Sequence, residues 1–471
     1  MTLSVFAAAR EAPGEAALVS DGRAVSFEEL ARATRGPLAE LSAAGLVAGH
    51  TPGLPVAFDA TPDLGALLRL QALMALGIPA LPLHPGITPE ERRGLLERAP
   101  IRADLGASPS PVTPGSGSPP AQPPPDDERP LAVVQTSGST GGPRGVVLSR
   151  RAFAASARAS EANLGWRADD RWLLSLPIAH VGGLSVVTRC LLARRAVVLG
   201  PAPGLSPSAI EALIETVERD RVTLHSLVPA QLQALLDRQP AWRPPAAVRA
   251  ALLGGGPASP ELRRRARERG WPILASYGLT EACSQVATQS PHEPEPDDQS
   301  CGRPLPAIEL RIREGALELR GPVLLSGYHP PEERPLDADG WHATRDRAHL
   351  DAAGRLHVLG RCDGAILSGG ETIQPEEVER ILEACSGVAR ACVFGIPDAL
   401  RGEIVAAALE ARPGAVLDPE SLAREWSRNL ARFRRPRRLA LLPELPSTPS
   451  GKLDRRLVRE RAAAALRPVP R

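Results

Sequence analysis

Over the first hundred residues, stretches with apolar positions at helical spacing alternate with short, wholly apolar runs. Ser26-Phe27-Glu28-Glu29-Leu30 reads as a helix start, with Ser26 as cap and Glu29 at the position that closes a capping box. Residues 77–83 read as a strand running into a turn. Order resumes at the apolar run 131–135 after 107–130, a stretch of mostly Ser, Pro, Gly and Ala that cannot pack a core and reads as a loop or linker. Further on, 211–219, 230–236 and 260–269 carry the helical period, while 222–228, 251–253 and 273–276 are strand-like. Such alternation, continued to about residue 360, predicts an α/β architecture with largely parallel sheet. Beyond Gly360 the units shorten: 376–385 and 419–430 read as helices, 391–395 and 404–409 as strands. This pattern predicts a large α/β domain over 1–361 and a small α+β domain over 362–471.

Composition narrows the function. Of 471 residues 43% are hydrophobic, enough for a sizeable core. With 3% aromatics and a net charge of +2, nothing favours base stacking or electrostatic binding to nucleic acid or to an anionic membrane. The six cysteines are scattered, without metal-ligand spacing, which fits a reduced cytoplasmic setting. The start Met1-Thr2-Leu3-Ser4 lacks a basic region followed by an apolar core, and no 18-residue apolar run occurs, so neither export nor membrane insertion is expected. Oligomeric state is left open, a homo-oligomer being compatible with the chain.

Lys452 is the single lysine among the 56 lysines and arginines. A GC-rich coding bias explains the depletion but not the exception, which sits in the turn Pro449-Ser450-Gly451-Lys452. Arginine is a wide planar fork, lysine a compact point charge on a slim stem. A site that sets one positive charge among crowded oxygens requires lysine, and Lys452 is read as catalytic.

Four clusters carry further chemistry. Thr136-Ser137-Gly138-Ser139-Thr140-Gly141-Gly142-Pro143-Arg144-Gly145 follows an apolar strand; its glycines and hydroxyls bring donors close to an anion and Arg144 adds charge for a polyphosphate. Without a following GK[ST] it is not a Walker loop. Ser276-Tyr277-Gly278-Leu279-Thr280-Glu281 sits at a predicted strand end, where open α/β sheets bind ligands. Tyr277 offers a face for a base, Thr280 a hydroxyl for phosphate and Glu281 a hard carboxylate for Mg²⁺. Asp346 and Arg361 suit a ribose, and the Gly369-Gly370 pair before the helix start at Pro375 permits close approach of a ligand.

In their order, these segments resemble the adenylate-forming superfamily of acyl-CoA synthetases, carrier-loading adenylation domains and luciferases, over about residues 20–460. The resemblance implies ATP, Mg²⁺ and CoA as cofactors and a small-molecule carboxylic acid as substrate. It implies that 136–145 holds the phosphates, that Tyr277, Thr280 and Glu281 hold adenine and Mg²⁺, and that Asp346 and Arg361 hold the ribose. It makes Asp363 the hinge, lines a pantetheine tunnel with Gly369-Gly370, and assigns adenylate formation to Lys452. Three stretches look most like the 2-succinylbenzoate–CoA ligases of menaquinone synthesis: Leu176-Pro177-Ile178-Ala179-His180-Val181-Gly182-Gly183-Leu184-Ser185, Leu252-Leu253-Gly254-Gly255-Gly256-Pro257-Ala258 and Cys283-Ser284-Gln285-Val286-Ala287-Thr288. By that likeness Gly254, Gly255 and Gly256 join the nucleotide site, and His180, Gly278 and Ser284 wall the acyl pocket. Arg189 stands where a basic residue meets the second carboxylate, although an arginine close to Arg194 and Arg195 reads equally well as a solvated one. The chain departs from the family pattern at Arg144 (usually lysine), Arg345 (usually glycine, and expected to crowd the ribose), Gly364 (often acidic) and Gly182 (serine in some). Other acyl- or aryl-CoA ligases, a carrier-loading adenylation enzyme and an inactive nucleotide-binding protein share the fold and stay open.

Overall fold

The computed structural model describes residues 2–47, 54–87, 89–106, 125, 127–136, 144–201, 204–293, 299–331, 334–361, 364–368, 371–398, 402–430, 434–448 and 451–469. Of the linker over 107–130, only Pro125 and 127–130 fall inside that set.

A nine-stranded sheet runs in the order Arg303–Pro304, Ser284–Thr288, Ile273–Leu279, Ala250–Leu253, Leu224–Leu227, Arg171–Leu174, Ala196–Leu199, Ala16–Ser20, Arg23–Ser26. Its six central strands are parallel and its edges antiparallel. A six-stranded sheet couples the parallel strands Val56–Asp59, Ala80–Leu83, Ala103–Asp104 and Pro130–Thr136 to antiparallel Arg144–Ser149 and Gly327–His329. One continuous core of buried Leu, Val and Phe spans these layers, and a second fills the outer face of the larger sheet. The alternation of short apolar runs and helical periods therefore reports the architecture correctly.

Local chemistry sets the helix ends. Helix Phe27–Ala43 opens with the Ser26/Glu29 capping box, both reciprocal bonds formed. Helices Pro207–Arg219, Pro260–Glu268 and Pro419–Ser427 each start with a Ser or Asp cap followed by proline, whose missing N–H costs nothing there. Helix Val181–Ala193 lies so close to the preceding loop that a Cβ on Gly183 would fall 2.3 Å from the Pro177 carbonyl oxygen.

Two expectations are corrected. Among the described residues between Arg303 and Arg361 helices do not alternate with strands; Glu309–Arg313, Ala316–Arg320, His342–Leu350 and Leu356–Arg361 form a four-stranded antiparallel sheet. Short charged strands with one buried face lack the continuous apolar runs that mark parallel strands. The strand expected over 273–276 extends to Leu279, because the following Ser284–Thr288 pairs with it antiparallel. From Ile366 onward a separate sheet is built around the long hairpin Val388–Asp398 and Gly402–Ala411, with helices Pro375–Glu383, Pro419–Ser427 and Arg455–Ala463 and cores of its own.

Candidate active site

In the larger sheet the chain passes from Arg171–Leu174 to Ala196–Leu199 on one side and then to Leu224–Leu227 on the other. Such a reversal opens a crevice at the carboxyl ends of the strands. The loops leaving those ends carry Leu176–His180, Val228, Gly254–Gly256 and, past Leu279, Thr280 and Glu281.

Lys452 enters this crevice from the C-terminal part of the chain. Its Cε lies 3.9 Å from where a Cβ on Gly255 would stand, and a Cβ on the preceding Gly451 would meet Val228 Cγ2 at 2.9 Å. Gly255 and Gly451 both have positive φ, 78° and 77°, so glycine is required for conformation as well as room. Desolvation pulls the Lys452 ammonium below its ordinary pKa, Glu281 and Asp346 oppose that shift, and Arg361 adds to it. The residue is nonetheless exposed to solvent.

Asp346 and Arg361 face each other across strands His342–Leu350 and Leu356–Arg361, their charged atoms 3.8 Å apart. Tyr277 donates its hydroxyl to Asp346 at 2.5 Å, and burial beside that carboxylate raises the phenol's pKa. Glu281 makes no side-chain hydrogen bond or ion pair among the described residues. A free carboxylate facing Lys452 fits a Mg²⁺ held by one protein oxygen and by substrate phosphates; no group of three or more metal-ligating side chains occurs among the described residues. Thr136 and Arg144 pair across the mouth of the Gly-rich loop, Thr136 Oγ1 donating to the Arg144 carbonyl at 3.2 Å, and the Arg144 guanidinium lies 5.9 Å from the Tyr328 ring centroid. Ser137, Gly138, Ser139, Thr140 and Gly141 lie outside the described residues, as do Asp363, Gly369 and Gly370. Arg345 does not crowd Asp346: it is exposed between buried Thr344 and half-buried Asp346, and successive strand side chains point to opposite faces.

On the acyl side, the residues at Gly182, Ser185 and Arg189 follow i, i+3, i+7 spacing and share one face of helix Val181–Ala193. Arg189 is only 3% exposed, and its Nε and Nη2 have no partner among the described residues. It lies over the Trp172 ring at 5.5 Å, and burial pushes its pKa down to about 10, with Cys283 and Cys190 opposing. The solvated alternative for Arg189 is overturned, whereas Arg194 bonds Glu11 and Arg195 bonds backbone carbonyls. Buried polar atoms of Ser185 (Oγ), Gln285 (Oε1) and His180 (Nε2) are likewise unpartnered among the described residues. Unsatisfied polar groups in one region point to a ligand that satisfies them. Burial, then His84 and Lys452, push the His180 pKa down to about 4, so its imidazole is neutral at pH 7. Gly278 is pressed against Ser284, where a Cβ would fall 1.9 Å from the Ser284 carbonyl oxygen, and Ser284 itself holds φ at 93°. Gly254 is similarly tight against the Ser276 carbonyl, and Gly256 stays open near Pro229.

Sequence reasoning missed Ser185, Gln285 and His84, whose ring centroid is 5.7 Å from that of His180. The i, i+3, i+7 spacing around Arg189 was available as a signal for Ser185; nothing local marks His84.

Residues 5–329 match the family model for AMP-binding enzymes, and 377–452 match the model for the AMP-binding enzyme C-terminal domain. The chain is 35% identical over 361 residues to the 2-succinylbenzoate–CoA ligase of Enterococcus faecalis, covering 74% of this chain and 73% of that one. It is 32% identical over 468 residues to the enzyme of that name from Listeria innocua, covering 96% and 97%. Among solved structures, o-succinylbenzoate coenzyme A synthetase from Bacillus subtilis superposes at a TM-score of 0.84 with its acyl-adenylate intermediate bound, at 28% identity and 98% coverage of both chains. The same enzyme with ATP and magnesium ion also gives 0.84, at 28% identity, covering 98% of this chain and 99% of that one. A family model spanning most of the chain and relatives above 30% identity over nearly its full length establish that this protein belongs to the AMP-binding, adenylate-forming enzymes.

Proposed function

We propose that the protein is an ATP-dependent acid–CoA ligase that adenylates 2-succinylbenzoate and passes the acyl group to CoA, in menaquinone synthesis. The observation that carries the choice of acid is Arg189, a buried guanidinium with unpartnered nitrogens. A cation in that state is costly and is balanced by a substrate that brings its own second carboxylate. A ring N–H of neutral His180 and the unpartnered Ser185 hydroxyl are donors that suit the keto and carboxyl oxygens of such an aryl acid.

The reaction runs in two steps. A substrate carboxylate oxygen bonds to the α-phosphorus of ATP as the bond to pyrophosphate breaks, giving the acyl-AMP. Lys452 sets its charge beside the oxygens that gain charge in that step, while Asp346 and Arg361 hold the ribose, Tyr277 flanks the base and Arg144 meets the outer phosphates. Glu281 would hold Mg²⁺, which would neutralise phosphate charge, and Thr280 offers its hydroxyl to the phosphate. The CoA sulfur then bonds to the acyl carbon, AMP leaves, and the thiol proton passes to solvent. Residues 362–471 form the mobile small domain, turning at Asp363 to withdraw Lys452 and bring Gly369-Gly370 to the pantetheine arm. A cytoplasmic setting belongs to the same reading, supported by the five cysteines among the described residues, all of them free; no helix among the described residues is long and apolar enough to cross a membrane.

Pyrophosphate release with MgATP tests this, using 2-succinylbenzoate, benzoate, a cinnamate and a medium-chain fatty acid, with and without CoA. Strong preference for 2-succinylbenzoate with formation of its CoA thioester is expected. Turnover of a monocarboxylic acid instead would move the protein to another pathway and remove the argument from Arg189.

A further inference from the structure

The first turn of helix Pro375–Glu383 touches the antiparallel sheet that carries Asp346 and Arg361. Gln374 is 4% exposed; its amide, oriented to suit both neighbours, donates to the Arg361 carbonyl at 3.1 Å and accepts from Arg347 Nη1 at 3.0 Å. Two residues on, Glu376 packs on Gly360: a Cβ there would stand 2.4 Å from Glu376 Oε2, and Gly360 holds φ at 140°. The other carboxylate oxygen, Oε1, accepts from Arg455 Nη2 at 3.2 Å. Arg455 also forms a two-pronged pair with buried Glu379 at 2.5 and 2.7 Å. It lies three residues after Lys452, at the start of helix Arg455–Ala463. Gln374 and Glu376 therefore connect the sheet at Arg347, Gly360 and Arg361 with Arg455, which opens the helix just after the turn that bears Lys452.

We propose that Gln374, with Arg347 as its partner and Glu376 beside it, is a positioning residue that docks the C-terminal segment with Lys452 in the crevice, and so favours adenylate formation over thioester formation. The proposal rests on the two-step reading above.

The dock is built to release. Glu376 Oε2 is buried with no partner among the described residues, and burial raises the pKa of that carboxyl. A buried carboxylate oxygen without a donor is a standing cost that undocking into water removes. Arg347 and Gln374 hold the segment in place, and Glu376 keeps the hold shallow. A tighter contact would slow the second step, since Lys452 has to leave before CoA arrives.

The test measures each half-reaction separately in the full-length protein: acid-dependent ATP–pyrophosphate exchange for the first, and thioester formation from supplied acyl-AMP for the second. Gln374→Ala is expected to slow the first about tenfold, the loss expected for one net hydrogen-bond contribution of the charged kind, and to leave the second unchanged or faster. Arg347→Ala, on the opposite side of the contact, is expected to do the same, and the double variant to be no worse than either single one. Amide exchange by mass spectrometry gives a readout without substrate: peptides over 356–361 and 374–379 should exchange faster in both variants, with 404–409 unchanged. Equal loss of both half-reactions, no change in either, or unaltered exchange at 356–361 would overturn the dock. If the parent protein ignores 2-succinylbenzoate but the exchange change appears, the substrate reading falls and the dock stands.

Discussion

At the residue scale, two cations decide the chemistry by opposite means. Lys452 is reachable by solvent and feels the charges of Glu281 and Asp346, which favour its protonated form, while Arg189 is shut away from solvent with nitrogens unpartnered. Removing a charge that acts on the transition state costs rate in that step alone. Lys452→Ala is therefore expected to lower ATP–pyrophosphate exchange by about 10²–10³-fold and to leave thioester formation from supplied acyl-AMP within a few-fold of the parent. Matching losses in both assays would contradict the alternation. Arg189 leads to a less usual expectation. A buried charge without an anion destabilises the free protein, and an apolar side chain of similar volume removes that cost. Arg189→Met should raise the stability of the unliganded protein by about 1–3 kcal/mol in urea titration, and raise KM for 2-succinylbenzoate about a hundredfold. A monocarboxylic aryl acid should show little change in KM. A destabilised variant, or equal KM changes for both acids, would take Arg189 out of the pocket.

At the element scale, the crevice depends on how closely helix Val181–Ala193 sits on the loop before it. Gly183 faces the carbonyls of Leu176 and Pro177, where a Cβ would approach to 2.5 and 2.3 Å, and backbone cannot step aside. Gly182 meets only Leu176 Cδ1, at 3.2 Å, the tip of a flexible side chain. Gly183→Ala should cost about 3 kcal/mol despite alanine's better helix propensity, and Gly182→Ala should stay within about 1 kcal/mol of the parent. Thermal melts of the two variants check the contrast, and similar losses would mean that the loop is softer than its geometry implies. The sequence made much of this level legible. The capping box at Ser26, the Ser-Pro helix starts and the apolar parallel strands all carry strong local signals. The antiparallel sheet from Glu309 to Arg361 was not legible, because strands such as His342–Leu350, with alternating buried and exposed positions and many charges, look like surface loops or helix faces in a linear reading. The site divides in the same way. Lys452 stood out by composition and Tyr277–Glu281 by motif, whereas the meeting of His84 with His180 and of Gln374 with Arg347 depends on tertiary packing that no spacing encodes.

At the scale of the whole molecule, stability is tied to keeping two imidazoles neutral. His225 is 1% exposed; its Nε2 lies 3.1 Å from Ser175 Oγ, and Nδ1 has no partner among the described residues. Burial pushes its pKa down to about 3, and burial with His84 and Lys452 pushes that of His180 to about 4. An unfolded histidine takes a proton below about pH 6.5. Both folded values lie lower, so the unfolded chain binds more protons between pH 6.5 and 4, and folding stability falls as pH drops through that window. Above pH 6.5 the contribution is fully present. At pH 5 a wholly excluded proton costs about 2 kcal/mol per histidine, 1.36 kcal/mol for each pH unit below the unfolded value. His225→Gln fills the same space with a group that does not titrate, and lowers stability at pH 7.5 through the imperfect fit. Urea titrations at pH 7.5 and 5 should therefore show a smaller loss for the variant than for the parent, by about 2 kcal/mol. Equal losses in the two proteins would mean that His225 takes up its proton in the folded state, through an opening of the layer between Trp271 and Ser175 that the closed packing does not provide.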